Sequence, residues 1–379
     1  MRVCLVYDCL YPFTIGGAER WYRNLAEGLA AGGHEVTFLT RRQWERGSEP
    51  VIEGVRVVAV SPRMSLYRRG RRRTLPPLLF GLGVLAHLVR RGRRYDIVHT
   101  ASFPYFPLLA AGVARRRARF RLLVDWHEVW THDYWREYLG RVGGSIGWRI
   151  QRACLRVPQQ AFCFSRLHER RLGALGLNGE LTRLEGQYLG GAGTAPRAAR
   201  MVAVFAGRHI PEKRVPALVP ALAEARRQIP ALRGEIYGDG PDRTKVLRAI
   251  AELGLDGAVE APGFVDAALL EDALASALCL VLPSRREGYG LVVVEAAARG
   301  VPVVVVADPD NAAVELVEEG VNGAIAVAVD PPELAAAILR VHDGGAALRE
   351  SSAAWFRRNA DRLSFDHSFA QVLKTYDGA

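Results

Sequence analysis

Lysine is nearly missing from this chain of 379 residues. Only Lys213, Lys245 and Lys374 occur among its 51 basic residues, so arginine serves almost wherever a positive charge will do. A lysine kept in a loop after an apolar strand therefore suggests a compact point charge aimed at an anion. Cysteine is sparse as well. Cys4, Cys9, Cys154, Cys163 and Cys279 are odd in number and show no C-x-x-C spacing, which argues for reduced core thiols rather than a metal site or a disulfide framework. No apolar run reaches the roughly 18 residues of a membrane span. Met1 to Leu10 lacks the charged and apolar regions of a signal peptide, so the expected location is cytoplasmic. A dinucleotide fingerprint is excluded, because G-x-G-x-x-G is absent.

What is present points to a large α/β protein. With 49% hydrophobic residues the chain can bury sizeable cores, and its length suits two domains. Charge divides these halves. Residues 1–190 hold 31 Arg, no Lys and 15 acids, a net of +16, whereas residues 191–379 hold 20 basic residues against 25 acids, a net of −5. Much of the excess sits in Arg68 to Arg73, Arg90 to Arg94 and Arg115 to Arg119. Such runs read either as solvated helix ends or as a surface for an anionic membrane or an anionic acceptor. Nucleic acid is disfavoured, since no reader motif accompanies the charge.

The stretch from Val281 to Val306 organises the rest. The apolar strand Cys279 to Leu282 feeds a turn with two glycines around Tyr289. A helix is expected from about Gly290 to Arg299, closed by Gly300 and Pro302, and the strand Val303 to Val306 follows. This is a βαβ unit, whose ligands lie at the carboxyl end of the strand, so the loop E-G-Y-G is a candidate anion site. Helical rise would put Glu287 and Glu295 up to roughly 12 Å apart. That exceeds the roughly 5 to 9.5 Å of paired glycosidase carboxylates, so a ligand spanning both fits better than a hydrolytic pair.

Glu287, Gly288, Tyr289, Gly290, Leu291 and Glu295, followed by Ala-x-x-x-Gly-x-Pro-Val, resemble the E-x7-E signature of the retaining GT-B glycosyltransferases of the group 1 type. Companion motifs follow in the family's order. After the strand Arg2 to Tyr7 comes a loop ending in I-G-G-A-E-R, whose Gly16 and Gly17 let backbone amides approach a phosphate. The resemblance places this segment beside the donor diphosphate and the acceptor. Leu75 to Val89 reads as a core helix between two arginine runs, with an interfacial membrane helix as the other reading, and Tyr95 to His99 as a strand. The strand Phe120 to Val124 delivers D-W-H-E-V-W, in which His127 takes by position the role of the family's histidine near the transferred sugar carbon; His132 is the decoy.

A glycine-rich stretch, Gly186 to Pro196, reads as the linker and lacks the family's usual P-N-G-V-D-like segment. The second domain opens with Met201 to Ala206 and then G-R-H-I-P-E-K, where Arg208 and Lys213 match the family's cations that neutralise the departing diphosphate. The turn G-D-G-P at Gly238 to Pro241 is a weak signal, and Gly263, Phe264 and Val265 resemble the segment whose backbone meets the nucleobase. Asp308-Pro-Asp310 mimics the D-x-D metal signature of the other glycosyltransferase fold and is discounted, and the glycine pair the family often shows before Glu315 is absent. Glu350 to Tyr376 reads as terminal helix.

The resemblance covers nearly the whole chain. It implies α/β architecture of the GT-B kind, with two Rossmann-like domains facing each other across a cleft. The expected divisions are an acceptor-side domain at 1–190, a nucleotide-sugar-binding domain at 191–355, and a helix at 356–379 crossing back to the first. The implied activity is retaining transfer of a hexosyl unit from a UDP- or GDP-linked sugar to a hydroxyl acceptor, such as a lipid-linked or glycan intermediate, without metal or other cofactor. Glu295 would accept from the ribose hydroxyls, Glu287 and the following amides would orient the sugar, and the donor phosphate would help deprotonate the acceptor in a front-side displacement. A sugar-nucleotide epimerase of the same fold, or a transferase acting on a small soluble natural product, is the alternative. A phosphorylase would need a lysine for pyridoxal phosphate, and none lies between Lys245 and Lys374.

Overall fold

A computed structural model describes residues 1–45, 47–68, 71–191 and 193–378, with the side chains of 67, 68, 71 and 72 excepted. The run Arg68 to Arg73 therefore lies largely outside the described residues. The chain forms two compact units, Met1–Glu185 with Ser368–Ala379, and Gly186–His367.

The first unit is built on seven parallel strands: β1 (Arg2–Val6), β2 (Glu35–Arg41), β3 (Val55–Ser61), β4 (Ile97–Ala101), β5 (Arg121–Trp126), β6 (Gln159–Cys163) and β7 (Gly179–Arg183). Their order is β3-β2-β1-β4-β5-β6-β7. The second has six: β8 (Val202–Ala206), β9 (Arg233–Tyr237), β10 (Val259–Gly263), β11 (Cys279–Leu282), β12 (Val303–Val306) and β13 (Gly323–Ala326). These run in the order β10-β9-β8-β11-β12-β13. Both sheets therefore reverse direction of growth beside their first strand, at β1/β4 and at β8/β11. Such a switch point opens a crevice at the carboxyl ends of the strands, where open α/β sheets bind ligands.

Sequence pattern explains which strands are central. Cys279 to Leu282 and Val303 to Val306 are buried throughout, as strands covered by helices on both faces must be. Edge strands instead alternate. In β10 the pattern Val-Glu-Ala-Pro-Gly exposes Glu260 and Pro262, and a proline without an N–H is tolerated at an edge. All five cysteines are buried, and none forms a disulfide.

In the first unit α1 (Gly17–Ala31), α2 (Leu75–Arg91), α3 (Phe106–Ala114), α4 (His132–Leu155) and α5 (Arg166–Ala174) connect the strands. One sheet face, with Cys4, Val98, Leu122, Val124 and Trp126, packs against Phe80, Val84 and Leu88 of α2 and Leu108 and Ala111 of α3. The segment Leu75 to Val89 is thus a core helix on one side, while Leu75, Leu78, Leu82 and Val89 are exposed on the other. Arg93 Nε donates to the carbonyl of Arg117 at 3.2 Å, which ties the second arginine run to the third. The strand expected at Tyr95 to His99 begins two residues later, because Gly92–Arg94 forms a 3-10 turn.

The second unit carries α6 (Leu218–Arg226), α7 (Arg243–Glu252), α8 (Ala267–Ala275), α9 (Leu291–Ala297) and α10 (Pro331–Leu363). The terminal helix is not continuous as the sequence suggested. Helix α10 kinks at Gly345 (φ 52°) and ends at Ser364, whose extended backbone separates it from α11 (Phe365–Asp377). From Ser368 onward α11 belongs to the first unit. Gly186 approaches Ser364 so closely that a Cβ would lie 2.0 Å from its carbonyl oxygen, and Tyr188 bridges to Ser364. No helix among the described residues is long and apolar enough to cross a membrane.

Candidate functional site

At the switch point of the second sheet, two loops meet. The loop after β8 carries Arg208 and, in a 3-10 turn at Pro211–Lys213, Lys213; the loop after β11 carries Glu287. Lys213 Nζ contacts Glu287 Oε1, which also accepts from Ser284 Oγ at 2.7 Å. Both charged side chains are largely shielded, at 20% and 10% exposure, so this ion pair is weakly screened by solvent. Backbone also links the loops, since Arg285 N donates to the carbonyl of Glu212 at 2.8 Å. Arg208 stands exposed at the head of the same loop.

Glu287 is not helical. Arg286–Glu287 pair in parallel with Asp310–Asn311, Gly290 is left-handed at φ 104°, and the helix runs only from Leu291 to Ala297. The separation expected from continuous helical rise between Glu287 and Glu295 therefore does not apply. Gly290 has to be glycine on two counts, its positive φ and the 2.6 Å at which a Cβ would meet Ala313 Cβ. Asn311 fastens this arrangement. Its Nδ2 donates to the carbonyls of Val306 (2.8 Å) and Ser284 (3.2 Å), and its Oδ1 accepts from Ala313 N (3.1 Å). Asp308 is occupied by Arg214, at 2.6 Å. Arg214 is the one non-glycine residue with positive φ among the described residues.

The other loops of this edge are knitted through glycines. Gly238 (φ 110°) passes so close to the carbonyl of Gly207 that a Cβ would lie 1.9 Å from its oxygen, and its N–H donates to the carbonyl of Gly263 at 2.8 Å. The weak G-D-G-P signal is thus the joint that brings Arg208 and the Gly263-Phe264-Val265 segment to one edge. Gly263 is buried, whereas Phe264 is 65% exposed. Glu295 sits on α9, half-buried, with its carbonyl accepting from Arg299 at 2.8 Å.

In the first unit His127 follows directly on β5. Its ring stacks on Phe164 (centroids 4.7 Å apart, 5° between planes) and meets Tyr22 edge-on, while Nε2 is shielded and without a hydrogen-bond partner among the described residues. Burial lowers its pKa, against the pull of Asp125 and Glu128, so the imidazole is neutral at physiological pH. Asp125, two residues earlier, is fully buried. Burial alone would raise its pKa, but the charge of His99, the His99 hydrogen bond, His127 and the Trp21 N–H outweigh it and hold the carboxylate below its ordinary value. Its oxygens are taken by His99 Nε2 (2.9 Å) and Trp21 Nε1 (2.8 Å). Glu128 accepts from Trp130 Nε1 at 2.8 Å. His132 opens α4, and its ring lies tilted against Trp148, with centroids 5.7 Å apart.

Gly16 and Gly17 stand at the start of α1, whose Trp21 reaches Asp125. Gly16 is extended (φ −175°), a conformation open to any residue, and a Cβ there would meet only the flexible end of Glu19. Among the described residues no group of three or more His, Cys, Asp or Glu could hold a metal ion. Sequence reasoning passed over Ser284, Asn311 and Arg214 in the second unit, and His99, Trp21 and Tyr376 in the first.

Residues 16–184 match the family described as "Glycosyl transferase 4-like domain", and residues 200–343 that described as "Glycosyl transferases group 1". The chain belongs to the group 1 glycosyltransferases. Among the relatives of this transferase, a glycogen synthase from Mycobacterium tuberculosis is 27% identical over 395 residues, covering 95% of this chain and 91% of that protein. An MMP alpha-(1->4)-mannosyltransferase from Mycolicibacterium hassiacum is 24% identical, covering 96% and 95%. The solved sucrose-phosphate synthase of Thermosynechococcus elongatus superposes with a TM-score of 0.82 at 21% identity, over 100% of this chain and 98% of that one. HepE of Anabaena in complex with UDP-glucose gives 0.75 at 19%, over the whole of both chains. These likenesses identify the fold as GT-B, with two Rossmann-like domains.

Proposed function

We propose that this glycosyltransferase moves a hexosyl unit from a nucleotide diphosphate sugar to a hydroxyl acceptor with retention at the anomeric carbon. The observation that carries the reading is the Lys213–Glu287 contact at the β8/β11 switch point, with Arg208 in the same loop. A cation held there by a shielded carboxylate is pre-positioned for a departing diphosphate and needs no reorganisation as charge grows on it. Glu287 then has two tasks, to fix Lys213 and, with the amides of Gly288 to Leu291, to orient the sugar. Glu295 binds the ribose hydroxyls, and Gly263, Phe264 and Val265 border the nucleobase. HepE is described in complex with UDP-glucose, which makes UDP-linked hexoses the first donors to try.

The carboxylates near His127 bear on how retention would be achieved. Asp125 is buried with both oxygens bonded, and Glu128 is bonded to Trp130, so neither is poised as a nucleophile. A front-side displacement, in which the leaving phosphate takes the acceptor proton, requires none. The shielded Nε2 of His127, without a hydrogen-bond partner among the described residues, is placed to hydrogen-bond a sugar hydroxyl. Gly16 and Gly17 lie on the same reading beside the donor phosphates and the acceptor. The exposed face of α2, with Leu78, Leu82 and Val89 followed by Arg90, Arg91, Arg93 and Arg94, suits an anionic bilayer that presents a lipid-linked acceptor. Release of nucleoside diphosphate from a panel of UDP- and GDP-hexoses tests the activity, and a panel from which none is consumed would refute it.

A further inference from the structure

A buried polar chain in the first unit serves no role in the transfer as described above. On β5, Arg121, Leu123 and Asp125 project to one face, because alternate residues do, and His127 follows in step beyond the strand end. The last turn of α11 lies over that face. Arg121 donates to the carbonyls of Thr375 and Tyr376, the second at 2.6 Å. The Tyr376 hydroxyl is 2.8 Å from His99 Nδ1, His99 Nε2 is 2.9 Å from Asp125 Oδ1, and Asp125 Oδ2 accepts from Trp21 Nε1 at 2.8 Å. Trp21 meets Phe164 edge-on at 5.1 Å, and Phe164 is the ring on which His127 stacks. His99, Asp125, Trp21 and Tyr376 are all at most 2% exposed.

An ionised Asp125 only accepts, so His99 Nε2 donates to it, while the Tyr376 hydroxyl hydrogen-bonds the other ring nitrogen, Nδ1. An apolar cluster of the same volume would hold α11 at a smaller desolvation cost. What the polar chain adds is a single register of helix, strand and rings.

We propose that Tyr376 is a positioning residue: its hydroxyl locks the buried His99–Asp125 pair, which holds Trp21 and, through Phe164, orients His127. The seating of α11 is thereby linked to the ring at the end of β5. This rests on the reading of His127 as a group that touches substrate.

The test is Tyr376→Phe, which keeps the ring and removes one hydroxyl. It should lower kcat by roughly tenfold, as a small misplacement of a reacting group does, and leave the donor KM within about twofold. It should also move the imidazole NMR resonances of His127, assigned by their loss in His127→Ala. Phe369→Leu, which loosens the same helix where its ring lies against Gly28, serves as the control. At an equal loss of Tm it should change neither kcat nor those resonances. The proposal is overturned if Tyr376→Phe leaves kcat and the His127 resonances at wild-type values, or if Phe369→Leu reproduces both effects. Wild-type turnover in His127→Ala would instead overturn the site reading. The two failures are separable, because the spectral shift does not require His127 to take part in the reaction.

Discussion

Replacing Lys213 with alanine tests the charge placement at the second sheet's switch point. The substitution removes a cation whose Nζ contacts Glu287 Oε1 and leaves that carboxylate, 10% exposed, with the Ser284 hydroxyl at 2.7 Å. Breaking a fully buried pair costs about 3–5 kcal/mol, so this partly solvated one, with a hydrogen bond remaining, should cost about 1–2 kcal/mol of stability. That loss is measurable by urea unfolding and leaves a folded enzyme to assay. The catalytic effect should be larger. A preorganised group aimed at charge that develops in the transition state is worth about 10²–10³ in kcat, whereas the donor's ground-state diphosphate loses a contact worth less than about tenfold in KM. Steady-state kinetics with a consumed nucleotide sugar therefore should show kcat falling by at least about tenfold more than KM rises. Equal losses in kcat and in donor affinity would refute the role, since they would mean that Lys213 binds both states alike.

Glu295→Ala should raise donor KM by about tenfold or more with kcat within about twofold, because hydrogen bonds to a charged group are worth about 1.5–3 kcal/mol and ribose contacts change little during transfer; an unchanged KM would remove Glu295 from the site. His87, hydrogen-bonded to Tyr95 at 2.8 Å, has its pKa pushed down to about 4 by burial and then by Arg91 and Arg56. Between pH 6.5 and 4 the unfolded chain therefore binds a proton that the folded one does not, so stability falls as pH drops through that window, by about 1–2 kcal/mol after allowing for the half-exposed ring. His87→Gln should flatten the slope in urea melts at pH 4.5 and 7, and an undiminished slope would assign it elsewhere. Binding to anionic vesicles should fall steeply with salt and vanish when Arg90, Arg91, Arg93 and Arg94 are neutralised, each contributing about 1 kcal/mol near the surface; equal binding to neutral vesicles would contradict the charge reading.

The βαβ units were legible because buried parallel strands are short continuous apolar runs. Cys279 to Leu282 and Val303 to Val306 lie where the pattern put them. Lys213 and Glu287 could be singled out by rarity and motif, but their contact could not, since it joins residues 74 apart through two loops. The bend at Ser364 was missed because nothing in Leu363-Ser-Phe365 breaks a helix by composition; the chain turns there to bring α11 onto the first unit. His99 reads as one polar residue inside an apolar strand, and its partners arrive from 26 and 277 residues away. A buried histidine amid apolar neighbours was the available signal. It says that a partner is needed and does not say which.

The central claim is retaining transfer at these loops, and the configuration of the newly formed product tests it most directly. With an α-linked nucleotide glucose or galactose that the enzyme consumes, the anomeric proton of the transferred or released sugar, read by NMR before mutarotation, should carry the small coupling of an α-glycoside. A β anomer as the first product would contradict the account.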